Sequence, residues 1–197
     1  MKSFLKGGSQ KFLEGFGFNV ALSKFCSKRY KLKNAISFVG GFPIVMKLVS
    51  KKGVNEKKQR KIVKNISTYS GALKAFTSLR KSKSSLGVIV QKQVNFSDEF
   101  VLGIKKTSDF GNVLFFGNKE KKVSFRVCSV DRKEARRMIK EVVGKEYSSK
   151  RILLLSKILL KVCEVGENYS DIFELNINSL VFKSNSFVIL DFNLVFS

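Results

Sequence analysis

The side chains able to do chemistry in this chain are unevenly supplied. Histidine is absent, which removes the commonest general base, the Ser/His/Asp and Cys/His nucleophile pairs, and the imidazole arm of a transition-metal site. Cysteine occurs at positions 26, 128 and 163, odd in number and never as C-x-x-C. That spacing signals neither a disulfide framework nor a thiolate zinc site, and Cys26, Cys128 and Cys163 are expected to be small buried hydrophobes. Positive charge is in excess: 38 Lys and Arg stand against 15 Asp and Glu, a formal net charge of +23. The physical consequence is attraction to polyanions, among them nucleic-acid phosphates, acidic lipid surfaces and anionic cofactors. Thirty of the cations are Lys and eight are Arg, so binding by charge is favoured over base reading by bidentate forks. The densest run is 51–64, where Lys51, Lys52, Lys57, Lys58, Arg60, Lys61 and Lys64 accompany a single acid, Glu56. Such a density repels itself and predicts a solvent-facing loop with a short strand, suited to contacting a polyanion. Lys47 is different: it interrupts the apolar run 44–49. A compact charge there suits an anionic phosphate, while a stem packed on apolar surface with its head in water is the structural alternative.

The elements that must position these groups are legible from spacing. At 197 residues and 44% hydrophobic, the chain has the material for one domain with a substantial core, or for two subdomains packed against each other. Its longest apolar stretches, 152–155 and 158–160, are broken by Ser156 and Lys157, far short of the run of about 20 residues that crosses a bilayer. The first eleven residues lack a continuous apolar segment, so a secretory signal is not expected and the protein is placed in the cytoplasm. Helices are predicted over 10–17, 32–39, from Ser70 to 79, from the Asp131-x-x-Glu134 capping signature to about 143, and from Ser148 or Ser149 to 162. Gly40 and Gly41 end the second of these. Strands are predicted over 44–49, 87–94, 99–106, 113–116, 122–127, 172–178, 180–183 and 187–195, with Asn185-Ser186 as a hairpin turn. The class is α+β with a mainly antiparallel sheet.

Pattern alone is shared by many folds, but particular residues narrow it. The segment Gly41-Phe42-Pro43-Ile44-Val45-Met46-Lys47-Leu48-Val49-Ser50 resembles the G-[YF]-P-V-V-[LM]-K-I-V-S signature of the ATP-grasp domain in ADP-forming acyl-CoA synthetases, the acetate-CoA ligase β-subunit family. Gly87-Val88-Ile89-Val90-Gln91 is similar to its hinge strand G-V-L-V-Q-E-M. The meander Phe100 to Lys106, Asp109-Phe110-Gly111 and Phe115-Phe116-Gly117 follows as in that family, then Val123-Ser124-Phe125-Arg126-Val127 resembles V-S-F-R-[LV]-A-P. Glu174-Leu175-Asn176-Ile177-Asn178 is similar to the terminal E-L-D-I-N-P. All occur in family order over nearly the whole chain.

The resemblance implies a single ATP-grasp-like domain over 1–197 whose two α+β subdomains, about 1–90 and about 91–197, close on ATP, a partner α subunit carrying the CoA site, and a phosphohistidine relay. Several positions depart from it. Aligned without a gap from Lys47, the family's S-P-D-I-[LV]-H-K-S-D-V-G-G segment falls on 50–61. Its histidine lands on Asn55, whose amide cannot attack phosphorus at neutral pH, its aspartate on Lys58, and its glycine pair on Arg60 and Lys61. The hinge glutamate falls on Lys92, and the terminal D-x-N, which the resemblance assigns to Mg²⁺, becomes Asn176-Ile177-Asn178. A hard cation prefers carboxylate oxygens, so this change weakens Mg²⁺ binding. Lys47, Glu99 and Asn178 remain as nucleotide-binding candidates, with Asn176 and Asn178 as the metal pair; the competing role for Glu99 is an ordinary charged residue at a strand start. Two functions are expected in consequence. The first is a catalytically inactive, basic protein that binds RNA or a ribonucleoprotein, with ATP and Mg²⁺ binding weakened or lost. The alternative is an ATP-binding β-like subunit of an ADP-forming acyl-CoA ligase whose CoA-binding α subunit supplies the missing groups. A third, a pseudoenzyme occupying a true ligase's partner interface, shares the fold and differs only in its partner.

Overall fold

Apolar alternation and glycine punctuation resolve in the computed structural model, which describes residues 2–3, 6–50, 61–120, 122–144 and 147–197. In chain order the elements are β1 (Lys2–Ser3), α1 (Lys6–Gly15), β2 (Ser23–Cys26), a 3-10 turn at Arg29–Lys31, α2 (Leu32–Phe38), β3 (Ile44–Ser50), β4 (Ile62–Ile66), α3 (Tyr69–Arg80) and β5 (Ser85–Lys92). They continue with β6 (Glu99–Thr107), β7 (Gly111–Asn118), β8 (Val123–Val127), α4 (Arg132–Val143), α5 (Ser149–Asn168), β9 (Ile172–Lys183), β10 (Ser186–Ile189) and β11 (Phe192–Phe196). Two compact units result: Ala21–Asn95, and Met1–Val20 together with Phe96–Ser197. The first twenty residues therefore belong with the C-terminal segment. Among the described residues no helix is long and apolar enough to cross a membrane.

In Ala21–Asn95 the antiparallel sheet runs β2-β5-β3-β4. Its core face is Ile44 and Met46 of β3 with Val88 and Val90 of β5, alternate residues that meet Ala72, Ala75, Phe76 and Leu79 of α3 and Leu32, Ala35 and Ile36 of α2. The i, i+3, i+4, i+7 spacing in α3 produces that apolar stripe. Helix α2 stops where the sequence says it must: Gly40 and Gly41 take φ of +80° and +73°, and the Gly41 N–H donates to the Ile36 carbonyl at 2.9 Å. Only residues without Cβ reach that region cheaply. Helix α3 is capped two residues before the expected cap Ser70, by Thr68, whose hydroxyl accepts from the Gly71 N–H at 3.1 Å. β2 was not foreseen; four residues alternating around exposed Lys24 and Phe25 carry too weak a period to read.

The larger unit is a seven-stranded sheet in the order β1-β11-β9-β6-β7-β8, with β10 also pairing β9, antiparallel at every pair. Leu102, Ile104, Leu114, Phe116, Leu175 and Ile177 are its buried centre, packed with Ala135, Met138, Ile139 and Val142 of α4 and Leu155, Leu159 and Val162 of α5. The strands expected at 172–178 and 180–183 are one continuous β9, because it pairs with β6 and β11 along its first half and with β6 and β10 along its second. The hairpin turn correspondingly precedes Ser186, with Ser184 in the left-handed region at φ 54°.

Helix α4 carries its predicted cap, the Asp131 carboxylate accepting from the Glu134 N–H at 2.7 Å. It is then clamped to β8 by Arg126, whose guanidinium donates to Glu134 Oε1 at 2.7 Å, Glu141 Oε1 at 2.5 Å and Ser124 Oγ at 3.0 Å. Hydrogen bonding from Arg126 lowers the pKa of Glu134, and hydrogen bonding from Ser124, then Arg126, lowers that of Glu141. A depressed carboxylate contributes stability that is present above the ordinary value of about 4.3 and is lost as pH falls through the depressed value. The melting temperature is therefore expected to decline on acidification below about pH 4, and Arg126→Met to flatten that decline. The change is modest because these carboxylates are largely solvated and screened; an equal acid slope in wild type and R126M would exclude the coupling.

Candidate nucleotide site

Lys47 is placed by the period of its strand. Ile44, Met46 and Leu48 turn toward α2 and α3, so Val45, Lys47 and Val49 share the opposite face of β3. Register puts Lys47 across from Ile89 of β5 and Ile62 of β4, with Val45 across from Gln91. Lys47 is half-buried there, between Ile89 and the exposed Ile62: a compact ammonium on the face of a central strand opposite α2 and α3, of the kind that can meet a phosphate. Of the basic run, Lys61 and Lys64 are exposed at β4. Lys51, Lys52, Asn55, Lys57, Lys58 and Arg60 lie outside the described residues.

Lys92, where the family resemblance puts a hinge glutamate, closes the same unit's turn from α2 into β3. Its Nζ donates to the carbonyls of Gly40, Gly41 and Phe42 at 3.1, 3.1 and 2.8 Å. An ammonium has three donors, and here all three meet successive backbone acceptors. Lys92→Met, which keeps the apolar stem, is expected to cost about 1–3 kcal/mol in urea unfolding as those carbonyls lose a charged partner. Lys92→Glu should cost more, since a carboxylate would face three carbonyl oxygens; equal stability of the two variants would show that the ammonium does not hold the turn.

The other candidates belong to the larger unit. Glu99, opening β6, is ion-paired with Lys119 from the end of β7, so its carboxylate is already engaged as an ordinary strand-start charge would be. Asn176 and Asn178 stand two apart on β9 and therefore on one face, Asn176 half-buried and Asn178 exposed. Asn176 lies opposite Gly103 of β6 and Asn193 of β11. The structure adds a residue that sequence reasoning passed over. Asp191, in the turn between β10 and β11, accepts the Asn178 N–H on its carbonyl at 2.9 Å, and its carboxylate accepts the Phe192 N–H at 3.0 Å. The Asp191 main chain thus meets that of Asn178, and the residue carries a carboxylate that the N-x-N pair lacks. The signal available beforehand was only that Asp191 is a lone acid within the apolar stretch 187–195. Lys47 and this Asn178/Asp191 pair belong to different units. Among the described residues no group of three His, Cys, Asp or Glu side chains could hold a metal by itself.

Residues 3–196 match the ATP-grasp domain family from end to end. The chain belongs to that family. Its ATP-grasp domain is 27% identical over 97% of its length to acetate–CoA ligase (ADP-forming) II of Archaeoglobus fulgidus, of which it spans 30%. It is 26% identical over 83% of its length to the β subunit of acetate–CoA ligase (ADP-forming) I of Pyrococcus furiosus, covering 80% of that subunit. Among solved structures, the dinucleotide-forming acetyl-coenzyme A synthetase 1 of Ca. Korarchaeum cryptofilum, in complex with coenzyme A, Ca-AMPCP and HgCl+, superposes with a TM-score of 0.86 over 100% of this chain and 94% of that one, at 21% identity. That likeness establishes the ATP-grasp fold, as the strand order and the two units describe it.

Proposed function

We propose that the chain is the ATP-binding, β-like portion of an ADP-forming acyl-CoA ligase and works with a CoA-binding partner subunit or domain. The observation that carries this reading is the family match over residues 3–196, reinforced by relatives that include ADP-forming acetate–CoA ligases and their β subunits. The chain spans less than a third of the length of the longer relatives it matches. Two separate candidate contacts fit this reading, each within its own unit: Lys47 for phosphate oxygens in Ala21–Asn95, and Asp191 with Asn178 for Mg²⁺ in the larger unit. When bound, that cation neutralises charge on the phosphates. No imidazole exists in the chain, so phosphoryl transfer through a histidine would have to use one from the partner.

Two measurements test the reading separately. Millimolar ATP with Mg²⁺ is expected to raise the melting temperature, by the equivalent of about 2.7 kcal/mol at a hundredfold excess over Kd. Acid- and CoA-dependent turnover of ATP should appear only after a CoA-binding ligase subunit is added. A melting curve indifferent to Mg-ATP would refute the nucleotide role.

A second reading, RNA binding by charge, has one specific observation in its favour: Ala21–Asn95 holds 18 Lys and Arg against a single acid, Glu56. It ranks below the first because the relatives point to ligase chemistry. Retention of RNA on a filter that weakens steeply with rising salt would support it, and no retention at low salt would remove it.

A further inference from the structure

Two cysteines far apart in sequence meet within the larger unit. Cys128 follows β8 directly and Cys163 sits within α5, yet their sulfurs are 2.7 Å apart. Cys163 is 4% exposed and Cys128 is half-buried. Cys26 is buried in the other unit, its thiol donating to the Lys28 carbonyl at 3.3 Å, and so serves as an internal control.

The backbone produces this approach. The Cys128 N–H donates to the Asn112 carbonyl at 2.7 Å, while the Asn112 side-chain amide donates to the Gly166 carbonyl at 2.9 Å. One residue of β7 therefore anchors both the end of β8 and the last turns of α5. Immediately after Cys128, Ser129 takes φ 119°, a conformation that residues with a Cβ rarely adopt. The turn brings the N–H groups of Ser129 and Val130 to the Cys163 sulfur. Together with hydrogen bonding from Cys128, the leading cause, these donors lower the Cys163 pKa against burial and the nearby Glu167, while that same hydrogen bond and burial push Cys128 up. The pair thus divides into a thiolate-forming member and a protonated neighbour, the arrangement that sensor thiols with a resolving cysteine share.

We propose that Cys128 and Cys163 form a peroxide-reactive dithiol that closes to an intramolecular disulfide. The Cys163 thiolate attacks one oxygen of hydrogen peroxide and the O–O bond breaks. The departing hydroxide takes up the proton that Cys163 released and leaves as water, with Cys163 now a sulfenic acid. The Cys128 sulfur then displaces that hydroxyl as its own proton is lost, forming the S–S bond and a second water. Two electrons and two protons pass from the dithiol to the peroxide. A small oxidant is required because Cys163 is nearly closed to solvent.

The test uses the full reduced chain, which has three thiols. After brief exposure to hydrogen peroxide, quenching and unfolding, one titratable thiol, that of Cys26, is expected. The intact mass should fall by two hydrogen atoms, with a cross-linked peptide pair containing Cys128 and Cys163 that dithiothreitol reverses. Because the link spans 35 positions, the oxidised chain should melt about 5 °C or more higher. In Cys128→Ser, Cys163 should stop at the sulfenic acid and be trapped by dimedone. Three surviving thiols in the wild type, or a cross-link that includes Cys26, would overturn the proposal, and neither readout depends on the variant folding.

Discussion

Alanine at position 103 is expected to cost about 3 kcal/mol of folding stability, a loss at the upper end of what overpacking produces. Gly103 sits in the middle of β6 with β7 and β9 on either side, opposite Phe115 and Asn176. A Cβ built there would collide with the Leu175 carbonyl oxygen and lie 2.9 Å from the Phe115 ring. The ring can rotate away; the carbonyl belongs to the strand ladder and cannot move without opening the pairing that holds Asn176 and Asn178 in place. Adding Phe115→Ala to Gly103→Ala should therefore fail to restore stability, because it relieves only the softer of the two collisions. Gly15, at the end of α1, is the control: a methyl there meets nothing within 4 Å, and alanine should be neutral or slightly stabilising. Urea unfolding of the three variants decides the matter, and a G103A loss below that of an ordinary surface change would mean that β6 and β9 are less tightly locked than their register implies.

The second large effect concerns Mg-ATP. Asp191→Asn keeps an oxygen for the Phe192 N–H and removes only the negative charge, so the fold should survive. What should fail is the Mg²⁺-dependent part of ATP binding: about a tenfold or greater rise in Kd with Mg²⁺ present and little change without it, the equivalent of about 1.4 kcal/mol or more. Lys47→Met should act differently, weakening ATP about ten- to a hundredfold whether or not the metal is present, because a charge-assisted contact worth about 1.5–3 kcal/mol is lost. Measured by calorimetry, the two variants thus separate the cation's ligand from the phosphate's. If D191N binds Mg-ATP as tightly as wild type, the pairing of Asp191 with Asn178 has no metal role.

Sequence by itself determined whatever depends on residues a few positions apart. The Asp131 cap, the Gly40-Gly41 stop and the apolar stripe of α4 are interactions within one turn of helix, and each forms where its local pattern requires. The ordered motifs from Gly41 to Asn178 likewise made the ATP-grasp family recognisable, and the absence of histidine was legible as an absence. Near misses were also local: Thr68 and Ser70 are both competent caps, and only the backbone's path selected the first.

Tertiary structure decided everything that joins distant positions. Lys92 reads as a lost glutamate until its ammonium is seen among carbonyls some fifty residues upstream. Asp191 gains meaning only because a turn returns it to Asn178, and Cys128 and Cys163 look like unrelated core fillers until β7 anchors both. That residues 1–20 join 96–197 rather than their immediate successors is a decision of the same kind. Periodicity and capping report energies exchanged with near neighbours; which surfaces meet across the fold is set by the joint burial of many side chains, and no local pattern contains it.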